Sequence, residues 1–137
     1  KMLLKWLIVS FIFNVGVNCK VTIHPKYQFR GGWIAGVDNI DWPSKQGLSV
    51  QQQKEEFTRL VQEAKEDNLN ALFVHIRPTA DSFYPSKIFP WSKWITGVQG
   101  KDPGYDPLKF VIEECHKANL ELHAWFNPYR ISTDVCF

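Results

Sequence analysis

Three stretches of the chain alternate between aliphatic and polar or aromatic residues with a period of two, and two stretches repeat apolar residues at helical spacing. The clearest alternation is Leu120 to Arg130, LELHAWFNPYR. Leu120, Leu122, Ala124 and Phe126 fall on one side, and Glu121, His123, Trp125 and Asn127 on the other. Pro128 cannot donate to a sheet ladder, so the strand is expected to stop there, with Asn127, Tyr129 and Arg130 at its carboxyl end. The stretch Ala71 to Arg77, ALFVHIR, has the same parity: Leu72, Val74 and Ile76 against Phe73, His75 and Arg77, closed by Pro78. Phe29 to Val37, FRGGWIAGV, is expected to be a strand whose glycines allow close backbone approach.

Between the strands lie two helix signals. Ser49 and Gln52 form a capping box, and Val50, Phe57, Leu60, Val61 and Ala64 make an apolar stripe, predicting a helix from about Val50 to Asp67. Asp106 is suited to cap a second helix with Pro107 at its first position, and Leu108, Val111, Ile112, Cys115 and Ala118 form its stripe. Asn119 suits the turn into the last strand. The predicted order is βαβαβ, with short helix-to-strand turns and long strand-to-helix loops. Such asymmetry gathers ligand-binding groups at the carboxyl ends of parallel strands. The loop from Thr79 to Tyr105 is longer than compact domains usually carry, and its Asp81, Tyr84, Trp91 and Trp94 favour a functional role over disorder. Gly31-Gly32 lies inside the first strand and Asp38 follows it, an arrangement unlike a phosphate-binding loop, so no dinucleotide or other cofactor is expected.

Composition narrows the classes. With 45% hydrophobic and 22% charged residues among 137, the chain reads as one globular domain. A net charge of +2 without a basic cluster gives no reason to expect a nucleic-acid partner. Six Trp, four Tyr and ten Phe are many for this length. Exposed aromatics stack on the apolar faces of sugar rings, which is one explanation; packing of loops is the other. At the amino terminus, Leu3 to Phe13 is an apolar run too short to span a bilayer and reads as an export signal over residues 1–19. Cys19 stands where a lipoprotein signal carries its acylated cysteine, after a loose Gly16-Val17-Asn18 box; cleavage without lipidation is the alternative. Residues 20–28 form a polar leader. Neither Cys115, on a helix stripe, nor Cys136 belongs to a disulfide framework or a metal-binding spacing.

The motifs Trp42-Pro43-Ser44-Lys45, Ile76-Arg77-Pro78 with Asp81, Tyr84-Pro85-Ser86, Pro90-Trp91-Ser92, Gly104-Tyr105-Asp106-Pro107-Leu108 and His123-Ala124-Trp125-Phe126-Asn127-Pro128-Tyr129-Arg130 occur in that order. Together they resemble the amino-terminal part of the glycosyl hydrolase-like 10 family, bacterial envelope proteins often carried as lipoproteins. The resemblance covers about Phe29 to Ile131. It implies an eight-fold β/α (TIM) barrel and hydrolysis of glycosidic bonds in a cell-wall, peptidoglycan-like or other extracellular glycan. The segment 29–137 would then be an incomplete barrel of three strands and two helices. Ile131 to Phe137 does not look like the family's continuation, so a truncated gene or a frameshift is expected, with the catalytic carboxylates on strands beyond it.

Glycoside hydrolysis needs two carboxyl groups about 5 Å apart for retention or about 6.5–9.5 Å apart for inversion. Within this chain only Asp38 and Asp81 stand at strand ends or in the site loop, and neither has an evident partner. The expected roles are therefore mainly in binding. Asp38 and Asn127 are expected to meet sugar hydroxyls, and Arg77 and His123 to orient a carboxylate or the substrate. Tyr84, Trp91, Trp125 and Tyr129 are expected to form stacking walls, and Asp81 and Arg130 are expected to belong to the same binding set. Asp38 as one acid of the catalytic pair is the alternative. For the whole, the competing functions are a non-catalytic carbohydrate-binding envelope protein and, more remotely, a membrane-anchored interaction module.

Overall fold

In the computed structural model, residues 28–133 are described. The expected export signal, Cys19, nearly all of the leader and Cys136 lie outside them. Three parallel strands, β1 (Gly31–Ile34), β2 (Ala71–Arg77) and β3 (Glu121–Phe126), form one sheet in the order β1-β2-β3. They are joined by α1 (Val50–Glu66) and α3 (Pro107–Lys117), with a one-turn helix α2 (Lys93–Thr96) in the long second loop. This is a mixed α/β arrangement compatible with part of a β/α barrel.

The helix boundaries follow from local chemistry. The Ser49 side chain accepts from Gln52 N–H while the Gln52 side chain accepts from Ser49 N–H, so two donors of the first turn are satisfied reciprocally. Asp106 accepts the N–H of Lys109, and Pro107 needs no partner at its position. Asn68 and Asn119 both take left-handed backbone, which turns each helix sharply into the following strand. Phe57, Val61, Ala64, Val111 and Cys115 pack with Leu72, Val74, Ile76 and Leu120 into one core. The aliphatic parity of β2 thus faces the helices, as the alternation predicts. On β3 that side is less covered: Leu122 is half-buried, and Ala124 and Phe126 are exposed.

Three features depart from the sequence reading. β1 ends at Ile34, short of the expected Val37, because Ala35 N–H turns away from β2 to the Asp41 carboxylate at 2.7 Å. The Ala35 carbonyl accepts from Asp41 and Trp42 instead of extending the ladder. The loop after β2 carries a helix that the periodicity does not predict: Ser92 caps α2 and Gly97 closes it in left-handed conformation. Finally, β2 slips register against β3 between His75 and Arg77, so that Arg77 pairs with Phe126. Strict alternation places Arg77 with Phe73 and His75; the irregularity breaks that parity at the strand tip.

Candidate functional site

The side of the sheet away from the helices carries rings in register. Trp33 pairs with Phe73 and Phe73 with His123, one from each strand, forming a first row across the sheet. Trp33 lies parallel to Phe73 at 4.4 Å, and Phe73 is stacked on His123 at 4.7 Å. Toward the carboxyl ends, His75 and Trp125 make a second row, parallel to within 5° at 3.8 Å. Trp33 and Trp125 are perpendicular, with ring centres 5.1 Å apart, and link the two rows. Trp33 remains 61% exposed, so its ring is open to a partner.

At the carboxyl tips the rings meet polar groups. Asn127 Nδ2 lies 2.9 Å from His75 Nε2 and donates to the Pro78 carbonyl at 3.1 Å, and Asn127 Oδ1 accepts the Trp125 indole N–H at 2.9 Å. His75 is fully enclosed, and burial lowers its pKa to about 4. The Arg130 charge acts in the same direction and Asp81 opposes both. The imidazole is therefore neutral at neutral pH. Its Nδ1 and the Nε of Arg77 are buried without a hydrogen-bond partner among the described residues.

The expected site residues divide accordingly. Trp125, Asn127 and His123 stand on the ringed face. Arg130, exposed, and Asp81, buried, both lie near enough to bias His75. Asp81 Oδ1 accepts the Thr79 N–H at 3.1 Å, so this carboxylate braces the turn after β2. Arg77 has its guanidinium 4.4 Å from the Phe89 ring centre, with Nη2 3.4 Å from the Pro128 carbonyl. His123 Nε2 lies 3.3 Å from the Glu121 carboxylate. Asp38 is exposed in the turn after β1, with left-handed backbone; the neighbouring Asp41 is the acid that binds the strand end. Tyr84 and Trp91 are half-buried against the core from the long loop, where Trp91 lines a separate depression with Tyr105 and Asp102. Tyr129 is 95% exposed at the end of β3. Among the described residues no group of three or more His, Cys, Asp or Glu is placed to hold a metal ion.

Three residues of the face, Trp33, Phe73 and His75, are absent from the expected set. Their signal is the parity itself: Phe73 and His75 alternate with the aliphatic residues of β2 and sit opposite His123 and Trp125, and Trp33 sits opposite Phe73. Trp42 and Trp94, tryptophans that the sequence puts in loops, are core residues only 1% and 6% exposed. For these two, loop packing is the explanation.

The model of the family described as "Glycosyl hydrolase-like 10" matches residues 28–135. The chain is 57% identical over 120 residues to "Glycosyl hydrolase YngK" of Bacillus subtilis (strain 168), covering 88% of this chain and 24% of that protein. It is 40% identical over 114 residues to "Glycosyl hydrolase DigH" of Escherichia coli (strain K12), covering 77% of this chain and 26% of that protein. The chain thus spans about a quarter of the length of the curated relatives it matches. With the family model matched across all of the described residues and on to 135, beyond the Ile131 at which the resemblance is expected to end, the chain belongs to the glycosyl hydrolase-like 10 family.

Proposed function

We propose that this chain forms the first three strands of a β/α barrel glycoside hydrolase acting on an extracellular, peptidoglycan-like glycan, and that its contribution is the substrate-binding wall. The observation that carries the reading is the pair of ring rows, Trp33-Phe73-His123 and His75-Trp125, on the side of a parallel sheet that faces inward in such a barrel. Sugar rings present axial C–H groups that pack on aromatic faces, and Trp33 offers an exposed one. The relatives' printed names, glycosyl hydrolase, support the reaction class. Export and anchoring through Cys19 would bring the protein to that glycan; radiolabelled palmitate incorporated by the native chain and lost in Cys19→Ala tests the anchor.

A second reading, carbohydrate binding without hydrolysis, rests on the same ringed face and on the two acids that the sequence puts at strand ends or in the site loop. Asp38 is exposed at a turn and Asp81 is engaged with backbone. One experiment decides between the readings. The polypeptide that carries this chain is incubated with purified peptidoglycan, and both bound protein and new reducing ends are measured. Binding with reducing ends supports the hydrolase, binding alone supports the second reading, and neither removes both.

A further inference from the structure

The Asn127 carboxamide has two N–H donors and two acceptor lone pairs. Which end is nitrogen follows from its neighbours: the Pro78 carbonyl can only accept and the Trp125 indole N–H can only donate. Exchanging the two ends would set oxygen against oxygen and N–H against N–H. The nitrogen therefore faces His75 as well as Pro78, and both its donors are engaged. His75 Nε2 must then accept, which puts the ring proton on Nδ1. The same imidazole lies flat on the Trp125 indole at 3.8 Å. His75, Trp125 and Asn127 thus close on one another: His75 stacks on the indole and accepts from Asn127, and Asn127 holds the indole N–H.

We propose, resting on the glycan-binding reading above, that His75 is a positioning residue which fixes Trp125 as a rigid platform for a sugar ring, through its stack on the indole and its hydrogen bond from Asn127. Asn127 is then a clamp within the protein instead of a ligand for sugar hydroxyls, since only one acceptor lone pair remains. A platform held in place before binding loses less side-chain entropy when the sugar arrives, and affinity gains from that. Protonation of His75 at Nε2 would set N–H against N–H at the Asn127 contact and undo the clamp. The charged groups that bear on this ring are Arg130 from the segment after β3 and Asp81 from the loop after β2. His123, on the neighbouring row, stacks on Phe73 and pairs with Glu121.

The test uses the polypeptide that carries this chain and chitotetraose as the probe, with dissociation constants read from tryptophan fluorescence and folding checked by circular dichroism. His75→Phe keeps a ring on the indole but loses the acceptor; it is expected to bind at least 5-fold more weakly, with His75→Gln, which restores an acceptor, in between. Wild-type affinity is expected to be flat from pH 8 to 5.5 and to fall with a midpoint near 4, a fall that His75→Gln lacks. The pH profile needs only wild type and His75→Gln, so it stands even where His75→Phe fails to fold. Unchanged affinity in His75→Phe, or the same acid fall in His75→Gln, overturns the positioning role while leaving glycan binding intact. Wild type without affinity for chitotetraose overturns the glycan reading, and the proposed platform with it.

Discussion

Gln53 lies on the buried side of α1, only 2% exposed, and ties three segments together. Its Oε1 accepts the Tyr105 hydroxyl at 2.7 Å, and its Nε2 donates to the Leu48 carbonyl at 2.8 Å and the Ile95 carbonyl at 3.3 Å. Its own carbonyl accepts the Trp42 indole N–H at 2.7 Å. Replacement by Leu keeps the volume and the backbone contact but strips the carboxamide. The Ile95 carbonyl retains Gly47 N–H as a donor, so the groups left unpaired are the Tyr105 hydroxyl and the Leu48 carbonyl. Each costs about 1–3 kcal/mol if wholly buried. Both residues are half-buried, which places the expected loss for Gln53→Leu at about 2–3 kcal/mol after the apolar gain of the leucine. In hydrogen–deuterium exchange, the amides of the Ile95–Tyr105 loop and the first turn of α1 should then open roughly 30- to 150-fold more readily. Tyr105→Phe alone should lose about 1 kcal/mol, and the double variant should lose less than the sum of the two, because the shared bond is removed once. Exchange within about 5-fold of wild type for Gln53→Leu, or strict additivity with Tyr105→Phe, would refute the hub.

Phe57, wholly buried with Trp42 at 5.0 Å and Phe110 at 6.1 Å, should lose about 3–5 kcal/mol on replacement by Ala, read from the urea midpoint of the protein carrying this chain; a loss under about 1 kcal/mol would contradict its central place. His75 makes stability fall on acidification: below its ordinary pKa of 6.5 the unfolded ring takes a proton that the buried ring refuses until about pH 4. The slope is about 1.4 kcal/mol per pH unit and the whole effect at most about 3.5 kcal/mol, so β2 amide exchange should accelerate over that window in wild type and not in His75→Gln. Burial, aided by the Glu114 charge, pushes the Cys115 thiol up to about 12, so iodoacetamide at pH 8 should modify it only after denaturation, as mapped by peptide mass. Expressed by itself, the 137-residue chain should lack a sharp two-state melt, because β1 and β3 each have one strand neighbour among the described residues and Trp33 is 61% exposed. A cooperative monomeric transition in calorimetry would count against that.

The parts of this fold that sequence displays are those decided by neighbours along the chain. Ser49 with Gln52, and Asp106 with Pro107, set the helix starts because capping is an exchange of hydrogen bonds within one turn. The limits of β2 were readable for a similar reason, since Asn68-Leu69-Asn70 and Pro78 punctuate it. Gln53 escaped because a polar residue on a helix is ordinarily solvated, yet its phase, three after Val50 and four before Phe57, lies on the apolar stripe and was the available signal. The end of β1 was not readable. It is set by the Asp41 carboxylate turning back to Ala35 N–H, a choice between two acceptors that alternation does not distinguish.

The site follows the same division between pattern and partner. Parity correctly separated an aliphatic side of β2 from a ringed one, so the face bearing Phe73, His75, His123 and Trp125 could be named before any coordinates. Parity does not say what each polar group on that face binds. Asn127 reads as a free hydrogen-bonding residue at a strand tip, but its donors go to His75 and Pro78, whose positions depend on β2 and β3 lying side by side. Arg77 reads as an inward cation, but the register slip after His75 brings it opposite Phe126 and its guanidinium rests on Phe89. In both cases the residue type suggests a ligand and the fold supplies partners within the protein, although the Arg77 Nε has none among the described residues. What then remains for a ligand are the rings that the sheet leaves open: the exposed ring of Trp33 and, beside it, the half-buried indole of Trp125.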